Sequence, residues 1–270
     1  MVEMEDTLYA ETLKRFDDVV SASTALSQGS AGIPALSSRH YWASVLFTRL
    51  VGNGVSLLLL LPRNRLTQSV FENWDFVPIA SLARNLSECY FAYYYLCEDN
   101  VGEEEWHCRW NIFNLHDCLQ RKKLFQCLGS NPEELANFEK QADELRDRLQ
   151  SNSHFKSLPL QVQKDCLKAK KLFLLSQDEL LERIGFDATA FRALYILWSS
   201  HMHTFPVGFY RTGENDRGRG IENPTEKRYI CTAIEVCRAF IRKAAKAHLN
   251  FFPKAYQEVS EVGREALFGD

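Results

Sequence analysis

The stretch VPIASLARNLSECYFAYYYLC, residues 77–97, predicts a helix at the centre of the protein. Apolar side chains occupy nearly every side of a helix drawn through it, and the exceptions are Arg84, Asn85 and Glu88. A helix that is hydrophobic all round is normally buried in a core. We therefore expect the other elements to pack around residues 77–97.

Helical signals continue on both sides of this stretch, and no alternating strand pattern of useful length interrupts them. The predicted elements are helices at about 3–28 and 37–61, a short element at 67–74, a helix capped by Asp99 and Asn100, a helix starting at Asn131 and Pro132, a helix at 162–173, a capping box at Ser176 and Glu179, a helix capped by Asp187, a long helix from Asn223 and Pro224 to Pro253, and a short last helix. The sequence predicts an all-α protein without a sheet, an irregular bundle of about eight to ten helices.

The chain shows no linker that would divide it, so residues 1–270 are predicted to form a single helical domain. Within it, residues 1–36 form an N-terminal helix and loop, and residues 37–252 form the core bundle. Residues 205–223, FPVGFYRTGENDRGRGIEN, are rich in glycine, arginine and acidic residues. They are expected to form one long irregular loop, a kind of segment that is often functional.

Composition limits the classes of function. A chain of 270 residues with 46% hydrophobic content is long enough to bury a large core. The formal charge of −3 lacks the basic excess of a protein that binds nucleic acid non-specifically through its phosphates. Any contact with nucleic acid is therefore expected to be local.

Eight cysteines occur without a signal peptide, because the N-terminus MVEMEDTLYAET is acidic and amphipathic. We interpret them as reduced and mostly buried, and we predict a cytoplasmic protein. The apolar run VSLLLLLP, residues 55–62, is too short to cross a bilayer and is read as a buried helix segment, so no membrane contact is expected. No CxxC pair is present, and no structural metal is predicted.

Common catalytic motifs are missing. The chain has no GxGxxG, GxxxxGK[ST], HExxH or GxSxG element, so we predict neither dinucleotide binding nor a cofactor. Glu104 and His107 have the spacing of a di-iron ligand pair, but the second copy that such a site needs is missing. Glu104 is more simply a first-turn helix acid.

Metal-independent RNA cleavage needs only a proton-transfer group and a cation to stabilise the charge on phosphorus. Three Arg/His pairs have four to six intervening residues: Arg109/His116, Arg148/His154 and Arg242/His248. Arg109 and His116 are seven residues apart and return to nearly the same helix face. They are the best-placed pair, although His116 is equally explained as a partly exposed helix histidine.

The stretch DATAFRALYILWSSHMHTFPVGFYR, residues 187–211, offers a second candidate, because an apolar helix ends in Ser199, Ser200, His201 and His203 before Pro206. Tyr195 and His201 are possible partners of Arg84 and Glu88, which lie four apart in the predicted central helix. Such a cluster would either stabilise the packing or form a site. His201 and His203 have the alternative of binding helix carbonyls.

A separate nucleic-acid surface is suggested by the basic side of the last long helix. Its members are Arg238, Arg242, Lys243 and Lys246. A solvated charged face explains the same pattern.

Three segments together resemble a known family. SLARNLSECYFAYYYL, RWNIFNLHD and LYILWSSHMHTFP look like the helical DUF5677 proteins of bacteria, over roughly residues 40–250. Arg84 and Glu88 match the Arg-x-x-x-Glu element of that family, and Tyr195, Ser199 and His201 match its late Tyr/Ser/His element. Through this family the chain also distantly resembles the HEPN superfamily.

The HEPN resemblance implies RNA cleavage by an Arg-x(4–6)-His pair in a helical homodimer, often in toxin or phage-defence systems. This chain departs from that pattern, because His201 has no arginine at the required spacing. Two functions follow as hypotheses. One is a metal-independent endoribonuclease that uses His116 or His201 with Arg109 or Arg84, and the other is a non-catalytic helical protein that senses a ligand or binds a protein partner.

Overall fold

A computed structural model describes residues 2–67, 71–212 and 217–269. Its α-helices are α1 (Val2–Ser30), α2 (Ser38–Leu60), α3 (Phe76–Tyr93), α4 (Glu103–Cys127), α5 (Pro132–Ser151), α6 (Ser153–Ser157), α7 (Leu160–Leu167), α8 (Gln177–Ile184), α9 (Ala188–Met202), α10 (Pro206–Thr212), α11 (Pro224–Phe251) and α12 (Glu261–Phe268). A π-helical segment spans Tyr94–Glu98 and a 3-10 helix spans Pro253–Glu258. The described ranges contain no strand, which confirms the all-α prediction.

The contacts group the chain into two compact units, Met1–Glu98 with Ile184–Asp270, and Asp99–Arg183. We call them the outer unit and the inserted unit and describe each by itself. The sequence did not indicate this division, because no composition change marks residues 98–99 or 183–184. The predicted single domain over residues 1–270 stays a prediction.

The helix α3 is the centre of the outer unit, as predicted. It packs against α2, α9 and α11, while α1 packs against α2, α11 and α12. Aromatic rings fill the space between them: Tyr90 stacks on Phe240 at 4.8 Å, and Phe91 meets Phe191 edge-on at 5.5 Å. Because these contacts bury the apolar faces of α3, its polar side chains Arg84 and Glu88 are left on the one face that reaches the surface.

In the inserted unit, α4 packs along α5 around a small core that includes Cys108, Ile112 and Phe155. The predicted cap of α4 is wrong. Gly102 occupies the cap position and no side chain bonds there. Asp99 instead forms an ion pair with Arg109, because a fully buried guanidinium is costly unless a carboxylate neutralises its charge.

Most other helix starts follow the sequence signals. The side chains of Asn131, Asp187 and Asn223 accept hydrogen bonds from the first-turn amides of α5, α9 and α11. Ser176 and Glu179 form the predicted capping box at α8. A capping side chain bonds to amides only two or three residues further along the chain, so these helix starts can be predicted without the tertiary structure.

Three predicted elements need correction. The helix expected at 162–173 is α7, which begins at Leu160 and ends at Leu167. The loop expected at 205–223 begins with α10, since Pro206 starts a helix as readily as it stops one. The element expected at 67–74 lies partly outside the described residues, and 71–75 are not helical.

Among the described residues, α2 is the one helix that is long and apolar enough to cross a membrane, with 39% of its most apolar window buried. Core helices of soluble proteins pass the same test. The prediction from residues 55–62 considered too short a segment, because the helix extends back to Ser38. Leu57 and Leu58 are buried, whereas Leu59 and Leu60 are 43% and 44% exposed. The cytoplasmic location stays a prediction.

The eight cysteines are free thiols, and all except Cys127 are buried. Burial raises the pKa of the Cys97 thiol to about 12 and that of Cys166 to about 11. A thiol with a raised pKa is a poor nucleophile and a poor metal ligand. These side chains act as small core residues.

His248, which is fully buried on α11, makes the stability of the outer unit depend on pH. Its ring stacks on Phe47 at 4.0 Å, and its Nε2 is 3.1 Å from the Ser30 hydroxyl. Burial lowers its pKa to about 3 from the ordinary 6.5. Below pH 6.5 the unfolded chain binds a proton that the folded chain does not, so stability falls as pH decreases towards 3.

We expect urea melts between pH 6.5 and 4 to lose about 1.4 kcal/mol per pH unit through this histidine, superimposed on the titration of the carboxylates. His248→Gln is expected to be less stable at pH 7 and to show a shallower pH dependence. His107→Gln, at an exposed position, is the control and should keep the wild-type slope. An unchanged slope in His248→Gln would contradict the assignment.

Candidate functional site

A polar cluster joins α3 to the end of α9 at the surface of the outer unit. The guanidinium of Arg84 donates from Nη2 to the Tyr195 hydroxyl at 3.0 Å, and its Nη1 lies 3.4 Å from His203 Nε2. The Tyr195 hydroxyl in turn donates to Glu88 Oε1 at 2.5 Å. Arg84 also lies over the Tyr195 ring, 4.6 Å from its centroid. We call these four residues the surface cluster.

Helix periodicity explains the arrangement. Arg84 and Glu88 are four residues apart and therefore share a face of α3. They do not bond to each other directly, because the Tyr195 hydroxyl lies between them and contacts both. His203 is the C-terminal cap residue of α9, where the chain leaves the helix.

The surface cluster is open to water. Arg84 and Tyr195 are partly buried, while Glu88 and His203 are exposed. Burial and the Glu88 carboxylate raise the pKa of Tyr195, and the charge of Arg84 opposes them. The phenol therefore stays protonated and acts as a positioning group for the guanidinium.

His201, which the sequence placed in this cluster, lies elsewhere. Its side chain is 5% exposed and meets the Phe76 ring edge-on at 5.3 Å. His201 follows Tyr195 by six residues and so points about a third of a turn away from it. His203, eight residues after Tyr195, returns to within about 80° of its direction. The i, i+4, i+8 series Tyr195, Ser199, His203 was the signal that would have found it.

Arg109 and His116 do not form a site of the predicted kind. The Arg109 side chain is fully buried and pairs with Asp99 at 2.8 Å and with Glu105 at 2.5 Å. A guanidinium enclosed by two carboxylates is neutralised and closed to a phosphate. His116 is partly exposed on the same helix.

In the other two Arg/His pairs, the arginine and the histidine also have different surroundings. Arg148 is exposed, and His154 lies 4.0 Å from Glu105 in the inserted unit. Arg242 donates to the main-chain oxygens of Leu267 and Gly269 at the end of α12, whereas His248 is buried. In each pair, the arginine and the histidine therefore have separate environments, and their spacing in sequence does not bring them together in one site.

The predicted basic face of α11 is largely occupied. Arg238 pairs with Glu235 at 2.8 Å, and Lys243 lies over the Phe186 ring at 5.8 Å. Of the four residues, only Lys246 has an exposed side chain. This face offers phosphate groups fewer open cations than the sequence indicated.

A comparison with protein families shows to which family the chain belongs. The model of a family of unknown function, DUF5677, matches residues 40–220, which is more than half of the 270 residues. The chain belongs to the DUF5677 family. The match includes every residue of the surface cluster. No curated protein and no solved structure matches the chain.

Across residues 2–67, 71–212 and 217–269, no group of three or more His, Cys, Asp or Glu side chains is arranged to hold a metal ion. Glu104 accepts hydrogen bonds from Ser153 and Asn152 at the start of α6. It serves as a capping group there.

Proposed function

We propose that this DUF5677 protein is a metal-independent endoribonuclease whose active site is the surface cluster. The observation that carries the proposal is the contact of one guanidinium, that of Arg84, with both the Tyr195 hydroxyl and the His203 imidazole at a water-accessible surface. A cation next to a histidine supplies the two functions that phosphodiester transesterification needs.

The chemistry of the contact assigns a role to each group. A guanidinium only donates hydrogen bonds, so His203 Nε2 is the acceptor in its contact with Arg84. When an RNA phosphate replaces His203 as the partner of Arg84, the Nε2 lone pair is released. It then accepts the proton of the 2′-hydroxyl as that oxygen bonds to phosphorus, while Arg84 stabilises the charge on phosphorus. The bond from phosphorus to the 5′-oxygen breaks, water protonates this leaving group, and His203 returns its proton to the solvent. Tyr195 and Glu88 hold the guanidinium in place.

Aromatic side chains beside the cluster suit a single-stranded substrate. The Phe205 ring stacks on His203 at 5.3 Å and is 52% exposed, and Tyr210 is 66% exposed. Unpaired bases stack on such rings. Because the protein has a net charge of −3, recognition through stacking and one cation fits better than a long phosphate-binding track.

The proposal extends to the HEPN-like relationship that the sequence resemblance implied, including a role in a toxin or phage-defence system and action as a homodimer. The local chemistry differs from the Arg-x(4–6)-His arrangement, because arginine and histidine come from two helices. Arg84 and His203 nevertheless lie next to each other in the folded protein, and this contact supports RNA cleavage by the same kind of arginine and histidine pair.

Incubation of single-stranded RNA with the protein in EDTA tests the activity. We expect internal cleavage that leaves 2′,3′-cyclic phosphate ends, and we expect Arg84→Lys to reduce its rate, since lysine loses the two-pronged contact to Tyr195 and His203. DNA, which lacks the 2′-hydroxyl, is the substrate control. Intact RNA of every sequence tested after prolonged incubation would overturn the proposal.

A second candidate, a non-catalytic protein that binds a partner, rests on exposed apolar side chains near the cluster. Ile196 is 57% exposed and Val207 is 58% exposed. Exposed apolar side chains that form a contiguous patch mark interaction surfaces. Ile196→Glu would weaken partner binding and leave RNA intact in both wild type and variant, which separates this function from the first.

A further inference from the structure

A cavity of about 150 Å3 lies beside the surface cluster, at the junction of α3, α9 and α10. It is lined by Asp75, the cap residue of α3, and by His201, Thr204 and Phe209. Gly208 makes the junction possible, because a Cβ atom there would lie 2.7 Å from the Ser200 main-chain oxygen. The proposed function does not use this cavity.

Two buried polar side chains at or next to the cavity have unused hydrogen-bonding groups: His201 lines it, and Arg217 directly precedes the lining residue Gly218. His201 is 5% exposed, lines the cavity, and forms no side-chain hydrogen bond with the residues that the structure describes. Arg217 is 7% exposed and donates from Nε to Glu226 Oε1 at 2.9 Å, but its Nη2 has no partner in the same part of the chain. Buried polar groups are normally satisfied, and Arg217 Nη2 is the buried atom left unpartnered here, while the His201 ring contributes unused hydrogen-bonding capacity to the cavity lining.

The charges at the cavity define what the ligand must offer. Burial, together with the charge of Arg217, lowers the pKa of His201, so its ring is neutral and offers one donor and one acceptor. Asp75 Oδ1 accepts the Val77 amide at 3.0 Å, and Oδ2 accepts nothing from the described residues. The Thr204 hydroxyl adds a group of either kind. A ligand with N–H donors next to carbonyl or ring-nitrogen acceptors matches these partners.

The size of the cavity sets the scale of the ligand. An engineered protein cavity of about 150 Å3 holds a benzene molecule, so this one accommodates a single planar ring system. Thr204 directly follows His203 of the surface cluster in sequence, and His201 lies two residues before it, so the cavity lining and the cluster share the end of α9.

We propose that this cavity is a nucleobase subsite, in which Asp75 accepts a hydrogen bond from a base amino group while His201 and Thr204 contact the neighbouring acceptors. The choice of an RNA base as ligand rests on the proposed function. Reading of a splayed base by hydrogen bonds to its edge and by aromatic contact is the usual mode of single-strand recognition. The subsite would determine which nucleotide lies next to the cleaved bond.

Free nucleosides test the subsite without its phosphate partner, so Arg84 does not contribute to the signal. We expect ligand-observed NMR titrations of the full-length protein to show guanosine, cytidine and adenosine binding more tightly than uridine. The reason is that uridine has no exocyclic amino group, and its one donor on that edge, N3–H, lies between two carbonyl oxygens that the carboxylate repels.

Asp75→Asn is the decisive variant, since asparagine keeps the helix cap but exchanges an acceptor-only group for an amide. We expect it to reduce the preference for amino-bearing nucleosides by about 5- to 150-fold. Asp187→Asn makes the same exchange at the cap of α9, away from the cavity, and should leave the preference unchanged.

Thr204→Gly is a second variant, in which a loss of nucleoside binding cannot be attributed to a loss of stability. Thr204 has a φ of 52°, a region that favours glycine over a β-branched residue. The variant should raise Tm while it weakens nucleoside binding, because the hydroxyl is lost.

The outcomes separate the subsite from the activity. If wild type binds no nucleoside, or if Asp75→Asn and Asp187→Asn behave alike, the subsite is wrong and the cavity holds only water. If nucleosides bind with the expected dependence on Asp75 but no RNA is cleaved, the subsite stands and the ribonuclease proposal fails. Cleavage whose base preference shifts in Asp75→Asn supports both.

Discussion

Replacing His203 with alanine is expected to lower the rate of RNA cleavage by about 10²- to 10⁴-fold, the usual contribution of a positioned proton-transfer group. His203 supplies the one imidazole of the surface cluster, and an imidazole is the commonest proton-transfer group in catalysis. Because it is exposed at the end of α9, its loss should leave the fold intact. Rates on a labelled single-stranded RNA in EDTA, with circular dichroism as the folding check, give the measurement.

Two matched histidine variants define the result. His116→Ala removes a partly exposed histidine from the inserted unit and should cleave like wild type. His201→Ala should retain cleavage but change its base preference, since His201 lines the cavity and does not touch Arg84. If His203→Ala cleaves at the wild-type rate while His116→Ala does not, the surface cluster is not the active site.

Arg109→Ala is expected to destabilise the inserted unit by about 3–5 kcal/mol, the cost of removing one partner of a buried ion pair. The Arg109 side chain is fully buried, and it pairs with Asp99, which is 10% exposed, and with Glu105, which is 29% exposed. Arg183 remains to pair with Asp99 at 2.9 Å, so Glu105 and the vacated volume account for much of the loss.

Urea denaturation of the full-length protein, with amide hydrogen exchange followed in residues 99–183, measures this effect. Arg121→Ala is the control on the same helix. Its pair with Asp117 joins side chains that are 49% and 62% exposed, and exposed pairs contribute at most about 1 kcal/mol. Equal effects of the two variants would show that the Arg109 network does not stabilise the unit.

Three of the four residues of the surface cluster were predicted from the sequence to lie together. Arg84, Glu88 and Tyr195 were expected to meet, because polar residues four apart in an otherwise apolar helix need a polar partner. The structure brings these three together. The histidine was assigned to the wrong residue, since the end of α9 and the turn after it decide which of two nearby histidines faces α3.

The Arg109/His116 pair shows the limit of spacing as evidence. Seven residues do place two side chains on one helix face, but spacing does not reveal which carboxylates approach from other segments. Asp99 read as a helix cap in the sequence and is an ion-pair partner in the structure. The division into two compact units was equally invisible, because it follows from long-range contacts and leaves no mark in local composition.

The amino-acid sequence by itself determined the all-α class, the central position of α3 and most helix starts, because periodicity and capping act within a few residues. Only the tertiary structure decided that His203 joins Arg84, that His201 lines a cavity beside it, and that Arg109 is neutralised. In the surface cluster, for example, Arg84 and His203 are more than 100 residues apart in the chain. The packing of whole helices against each other decides whether such residues meet.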